Sequence, residues 1–134
     1  IRERALAAGH RVVEIRLVAD EAGALRAAVA EALAAAAADV VVVTGGTGLA
    51  PRDVTIEAVA PLFEKTIDGF GELFRRLSWD EIGPAAMLSR AAAGVAAGKA
   101  VFLLPGSPAA VRLALERLLL PELAHLLGQA RRER

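Results

Sequence analysis

The 134-residue chain contains no cysteine. This excludes disulfides, thiolate nucleophiles and cysteine-ligated zinc or iron–sulfur centres in one step. Aromatic residues make up only 4% of the chain, with a single tryptophan. Neither sign of charge is in excess: 16 basic and 16 acidic residues cancel to a formal net charge of zero. That argues against nucleic-acid binding driven by bulk charge, which normally shows a basic excess. No apolar run approaches the roughly 18 residues of a membrane span. Neither nucleic acid nor membrane is therefore an expected partner. The two histidines, His10 and His125, have no partner at ligand spacing, which argues against a two-histidine metal site or a Ser-His-Asp triad.

What is present is small and apolar. Hydrophobic residues make up 55% of the chain and mean hydropathy is +0.46. That is enough for a core, with a surplus that suits an oligomer interface. The length predicts one domain over residues 1–134. The stretch Ile1 to Ala8 reads as the tail of a helix with Ile1, Ala5 and Ala8 on one face, so a first strand of the domain is expected upstream of this chain. No targeting segment is visible, and the expected location is cytoplasmic.

Strand and helix signals alternate along the chain. Arg11 to Val18 alternates in part and is rich in Val and Ile, which predicts a strand. Asp20 leads into an Ala-rich helix over Glu21 to Ala38 and is a candidate cap for it. Val40 to Thr44 is a short β-branched run, the pattern of a central strand covered on both faces. A glycine-rich loop, Gly45 to Asp53, precedes a short helix over Thr55 to Phe63, with Thr55 a possible cap. A second amphipathic helix covers Glu72 to about Ile82, ended by Gly83-Pro84, and Ala85 to Ser89 is a further short helical piece. Arg90 to Ala96 and Ala100 to Leu104 read as two strands about a tight turn, or as a helix end feeding a strand. Pro105-Gly106-Ser107-Pro108 is a sharp turn with Pro108 at a helix start. Ala109 to Leu120 is amphipathic, Pro121 opens a last helix, and Arg131 to Arg134 reads as a solvated end. Trp79 reads as a core or interface residue. The fold class is α/β, three layers around a mostly parallel sheet. In such sheets ligands bind beyond the carboxyl ends of the strands. Asp20, the Gly45 to Asp53 loop and Pro105 to Pro108 should therefore meet on one rim.

Four groups of residues on that rim could do chemistry. Gly45-Gly46-Thr47-Gly48 follows a strand and precedes a helix, so its amides could approach a phosphate without Cβ interference. A tight strand-to-helix turn explains the same residues. The loop lacks the Gly-Lys-Ser/Thr ending of a Walker A motif, which weakens a general nucleotide switch. Asp53 and Asp20 could each hold Mg²⁺ beside phosphates, or each could cap a helix. Thr44, Thr47, Ser89 and Ser107 could hydrogen-bond a ligand or serve turns. Arg52 and Arg90 could contact phosphate or remain solvated.

The string Thr44 to Ala58 (TGGTGLAPRDVTIEA) resembles the signature of the MoaB/MogA family of molybdenum cofactor biosynthesis proteins. That family is related to the molybdopterin-binding domains of gephyrin and plant Cnx proteins. The resemblance extends through Asp68 to Gly94 (DGFGELFRRLSWDEIGPAAMLSRAAAG) and Leu104 to Val111 (LPGSPAAV), and its LSWDEIG stretch is closer to MoaB. It implies a three-layer α/β fold and a trimer or hexamer. It implies molybdopterin and ATP as substrates, with Mg²⁺, and transfer of AMP onto the pterin's phosphate to give adenylyl-molybdopterin. The alternative it leaves is a catalytically silent molybdopterin-binding protein. By resemblance, Asp53 and Asp20 match the essential acidic residues of active members, and Ser89 matches a serine linked to molybdopterin binding. Gly45, Gly46, Thr47 and Gly48, with Thr44 before them, match the phosphate loop, and Pro105, Gly106 and Ser107 line the substrate. Leu103 departs from some active relatives, which carry a polar residue there.

Overall fold

The computed structural model describes residues 1–132. Four strands form one sheet in the order β1-β4-β3-β2, with β1 at Val40–Thr44, β2 at Lys65–Thr66, β3 at Ala92–Ala96 and β4 at Lys99–Leu104. β1 and β4 pair in parallel, from Val40 against Ala100 to Thr44 against Leu104. β3 is antiparallel to both β4 and β2. Three of the four strands thus run one way and only β3 is reversed. The mostly parallel sheet expected from the sequence is present, with one antiparallel hairpin set into it. That hairpin turns on Ala97 and Gly98, both at positive φ (52° and 70°), the backbone of a two-residue turn that matches strand twist.

Alternation along the central strands separates two cores. Ala100, Phe102 and Leu104 of β4 face one side, where they pack with Phe70 and Phe74 and with Leu113, Leu115, Leu119 and Leu123. Those partners come from α4 (Asp68–Ile82), α5 (Pro108–Ala114), the π-helical turn Leu115–Leu119 and α6 (Leu120–Ala130). Val101 and Leu103 face the other side and meet Leu25 and Val29 of α2 (Ala22–Ala34) and Ala58 and Val59 of α3 (Thr55–Val59). The period of two along one buried strand builds three layers. Every residue of β4 is buried, which is why VFLL carries no polar side chain. Leu103 has no exposed surface. Its departure from the polar residue of some relatives therefore lies in the core and not on the rim.

Several expectations need correction. Arg11 to Val18 is not a strand: among the described residues no ladder pairs with it, and Val13, Ile15 and Leu17 stand exposed. Only Val18 packs on the α2-side core, while Arg16 bonds Glu31 of α2 at 2.7 Å. α1 (Arg2–Ala7) buries none of its residues, so the Ile1, Ala5, Ala8 stripe has no core beneath it. α2 stops at Ala34, four residues early. Ala35 turns extended (φ −71°, ψ 131°), and the buried Lys99 Nζ takes the carbonyls of Ala32 (3.1 Å) and Ala35. α4 begins at Asp68, four residues before the expected start at Glu72, and takes in Gly69 and Gly71. The last helix, expected to start afresh at Pro121, instead runs on from α5 to α6 through the π-helical turn Leu115–Leu119, where the Leu120 N–H reaches back to Leu115 O and Pro121 follows the widened turn. Trp79 is 54% exposed on α4 and is not a core residue. Arg131 and Arg132 are exposed, as expected of a solvated end, and Arg131 in addition bonds the Gly98 carbonyl (3.1 Å) and Asp39. The rest of that expected solvated end, from residue 133, lies outside the described residues.

Candidate functional site

Because β1 and β4 are parallel, both end on one rim, and the reversed β3 begins there. Thr44 and Leu104 thus bring the glycine loop, the Pro105 turn and the Ser89-Arg90 entry to β3 together. Gly45 N–H donates to Leu104 O (2.9 Å) and Thr44 Oγ1 donates to Pro105 O (3.0 Å). Gly106 packs close enough that a Cβ on it would stand 3.4 Å from Gly45 Cα. Ser107 serves the turn: its Oγ accepts the Ala110 N–H (3.2 Å) as the α5 cap, with Pro108 following.

The loop is held from below by Thr55. Its hydroxyl donates to Gly45 O (2.8 Å) and its N–H to Gly46 O (3.0 Å). This replaces the expected capping role, since Val54 is the residue before α3 and no side chain caps that end. Gly46 has φ +65°, and a Cβ there would overlap Thr55 Oγ1. Only glycine meets both constraints. Asp20 Oδ1 lies 3.6 Å from the same point. Asp20 therefore reaches the loop. It does not cap α2, where Glu21 occupies the cap position without a side-chain bond.

Asp53 flanks the loop's other end. Its Oδ2 accepts the Ala50 N–H (3.1 Å), and Asp53 N–H returns to Ala50 O (2.8 Å). It does not cap α3. The same Oδ2 stands 2.6 Å from where a Cβ on Gly48 would be. Two carboxylates thus flank one four-residue loop. Among the described residues, the N–H groups of Gly46, Thr47, Gly48 and Leu49 have no protein acceptor. A run of unpaired backbone donors in a glycine turn offers partial positive charge suited to an anion.

Arg90, read from the sequence as either a phosphate contact or a solvated arginine, is instead bonded to the protein. Its Nε donates to Thr47 O (3.2 Å) and Gly48 O (3.1 Å), and its Nη2 donates to Gly48 O (2.8 Å) and Asp53 O (3.4 Å). Nη1 pairs with Glu57 of α3, with Nη2 to Glu57 Oε2 at 3.4 Å. This bond holds the Glu57 carboxyl below its ordinary range and raises the Arg90 guanidinium. All three guanidinium nitrogens are engaged by the protein. Glu57 carried no signal in the sequence beyond an acid in a first helical turn, because nothing in chain spacing links residue 57 to residue 90.

Ser89 lies half-buried beside this clamp. Its Oγ accepts the Ala91 N–H at a long 3.5 Å and its carbonyl takes Arg75 Nη1 at 3.4 Å. Thr47 is buried and Arg52 is exposed. His125 faces Glu122 and Gln129 on α6, and His10 is half-buried after α1. A groove of about 680 Å³ between α1 and α5, lined by Arg2, Arg4, Pro108 and Arg112 among others, touches the rim loops only at Pro108, the last residue of the Pro105 turn. Its Arg4 is tied to Glu116 at 3.1 Å.

Residues 1–125 match the family model described as "Probable molybdopterin binding domain". The chain belongs to this family. It is 49% identical over 128 residues to molybdenum cofactor biosynthesis protein B of Bacillus subtilis, covering 95% of this chain and 75% of that protein. It superposes on a crystal structure of a molybdenum cofactor biosynthesis protein B with a TM-score of 0.95 at 47% identity, covering 98% of this chain and 83% of the other. The Mog protein of Mycobacterium ulcerans gives 0.87 at 32% identity, covering 96% and 82%. The three-layer α/β fold expected from the resemblance is the fold these relatives share. Among the described residues no helix is long and apolar enough to cross a membrane.

Proposed function

We propose that the chain serves molybdenum cofactor biosynthesis by binding molybdopterin on this rim and adenylylating it with Mg-ATP. The observation that carries the reading is the loop itself, with four consecutive unpaired amides at 46–49 between the carboxylates of Asp20 and Asp53. A pterin site alone needs no pair of acids. In the proposed step the terminal phosphate oxygen of molybdopterin attacks the α-phosphorus of ATP. The bond to the bridging oxygen breaks and pyrophosphate leaves. The protein supplies positioning and donors for negative charge, and the substrate supplies the nucleophile. That division suits a chain with no cysteine.

The donor set fits a nucleotide-bound magnesium ion. Mg²⁺ takes one or two carboxylates and completes its shell with phosphate and water. Among the described residues no group of three or more acids or histidines is placed to hold a metal alone, while Asp20 and Asp53, one near each end of the loop, would each offer a carboxylate to an ion whose shell the phosphates would complete. When bound, the ion neutralises phosphate charge. Thr44, Ser89 and the turn at Pro105, Gly106 and Ser107 border the same rim and are proposed to hold the pterin side. Leu73, Trp79 and Ile82 of α4, with Met87 and Leu88 just beyond, form exposed apolar surface, which supports a homo-oligomer. Light scattering separates trimer from hexamer. We place the protein in the cytoplasm, where this chemistry's nucleotide is available.

The test is incubation with molybdopterin and Mg-ATP. Pyrophosphate release that requires the pterin supports the adenylyltransferase. Pterin binding without release identifies a catalytically silent binder of the same pathway.

A further inference from the structure

We propose that Arg90 is a positioning residue that turns the loop's amides outward, with Glu57 holding its guanidinium in place. The inference rests on the phosphate reading of the loop given above and names what shapes it. A trans peptide is planar, so its C=O and N–H point in opposite directions. The C=O of Thr47 shares a peptide unit with the N–H of Gly48, and the C=O of Gly48 shares one with the N–H of Leu49. Arg90 binds both of those carbonyls, at 3.2, 3.1 and 2.8 Å. Fixing the carbonyls on its own side directs the two N–H groups away from it, and both are unpaired. The third carbonyl it reaches belongs to Asp53, at 3.4 Å. One planar fork thus sets two donor peptides and the backbone of the flanking acid.

The arrangement also explains why an arginine is required. Three carbonyls and a carboxylate surround the group, and the guanidinium offers five N–H donors in one plane. A lysine ammonium offers a point charge without that fork. Neutralised by Glu57 and turned toward the protein, Arg90 adds little net charge to the rim. Its effect on an anion is carried by the amides it orients.

The test uses Mg-ATP binding by calorimetry on the full chain, with Arg90→Ala, Arg90→Lys and Glu57→Gln. Arg90→Ala is expected to weaken Mg-ATP by about tenfold to a hundredfold, the scale of a misplaced binding group. Arg90→Lys should fall between it and the unaltered protein, and Glu57→Gln should lose least. Millimolar guanidinium should restore affinity to Arg90→Ala and leave the unaltered protein unchanged, which a damaged fold would not show. Equal affinity in Arg90→Ala and the unaltered protein overturns the inference and leaves the site reading standing. Loss in both Arg90 variants with a lowered melting temperature and no rescue also overturns it, since the role is then only structural. Absence of Mg-ATP binding by the unaltered protein overturns both the inference and the reading beneath it.

Discussion

The Asp53 carboxylate fills the space that a side chain on Gly48 would need: Oδ2 stands 2.6 Å from the Cβ position. Real Cβ contacts are not that short, so one of the two must move. Gly48→Ala is expected to push Asp53 off the Ala50 N–H and to lower adenylylation by about 10²-fold, the cost of a small displacement of a catalytic group. Steady-state kinetics check it. Unchanged turnover in Gly48→Ala would show that the placement of Asp53 does not matter.

Acid should release the Arg90–Glu57 clamp. The hydrogen bond from Arg90 holds the Glu57 carboxyl below its ordinary value. A carboxylate so lowered contributes stability at all pH values above the ordinary glutamate range and loses it as pH falls through the lowered value. The stability difference between the unaltered protein and Glu57→Gln should therefore be constant from neutrality down to the ordinary glutamate range and shrink as pH falls below that range through the lowered value. Urea midpoints measured across that range check it. The Asp39 carboxyl, lowered by its bond from Arg131, should lose its contribution in the same direction.

The opposite rim should tolerate change without loss of chemistry. Lys99 begins β4, at the far end from Leu104, and its Nζ closes the end of α2 on the carbonyls of Ala32 and Ala35. Lys99→Met keeps the stem and removes the donor, leaving those carbonyls short of a charged partner. A cost of about 1–3 kcal/mol is expected, read from denaturant unfolding, with pterin and nucleotide affinity unchanged. A stability within error of the unaltered protein would contradict the role assigned to Lys99.

The central layers were legible because their sequence signals are local. VVVVT and VFLL are short and unbroken, so both read as strands, and Pro108 after Ser107 marks a helix start; only VFLL is central and fully covered, because among the described residues β1 lies at the sheet edge and is half-buried. The convergence of the Gly45 loop with Pro105 followed from parallel strands alone. What escaped depends on residues far apart in the chain. Arg11 to Val18 has strand composition, but a strand needs a neighbour, and none of the described residues supplies one. Lys99 ends α2 from 64 residues away, so no reading of the Ala run could place that stop. Arg90 sat beside Ser89 as a possible phosphate contact. Its use on loop carbonyls is set by the meeting of β3 with the loop, which no spacing in the chain expresses. Asp20 and Asp53 were open between capping and ligand binding. The structure removes capping for both, because neither carboxylate bonds a helix-start amide.

The most direct test of the account follows the pterin itself. Molybdopterin is incubated with Mg-ATP and either the unaltered protein or Asp53→Ala, and the products are examined by mass spectrometry. The account predicts a pterin carrying an adenylyl group with the unaltered protein. With Asp53→Ala it predicts unmodified pterin, still bound with near-normal affinity. Unmodified pterin from the unaltered protein, or adenylylated pterin from Asp53→Ala at the same rate, would contradict it.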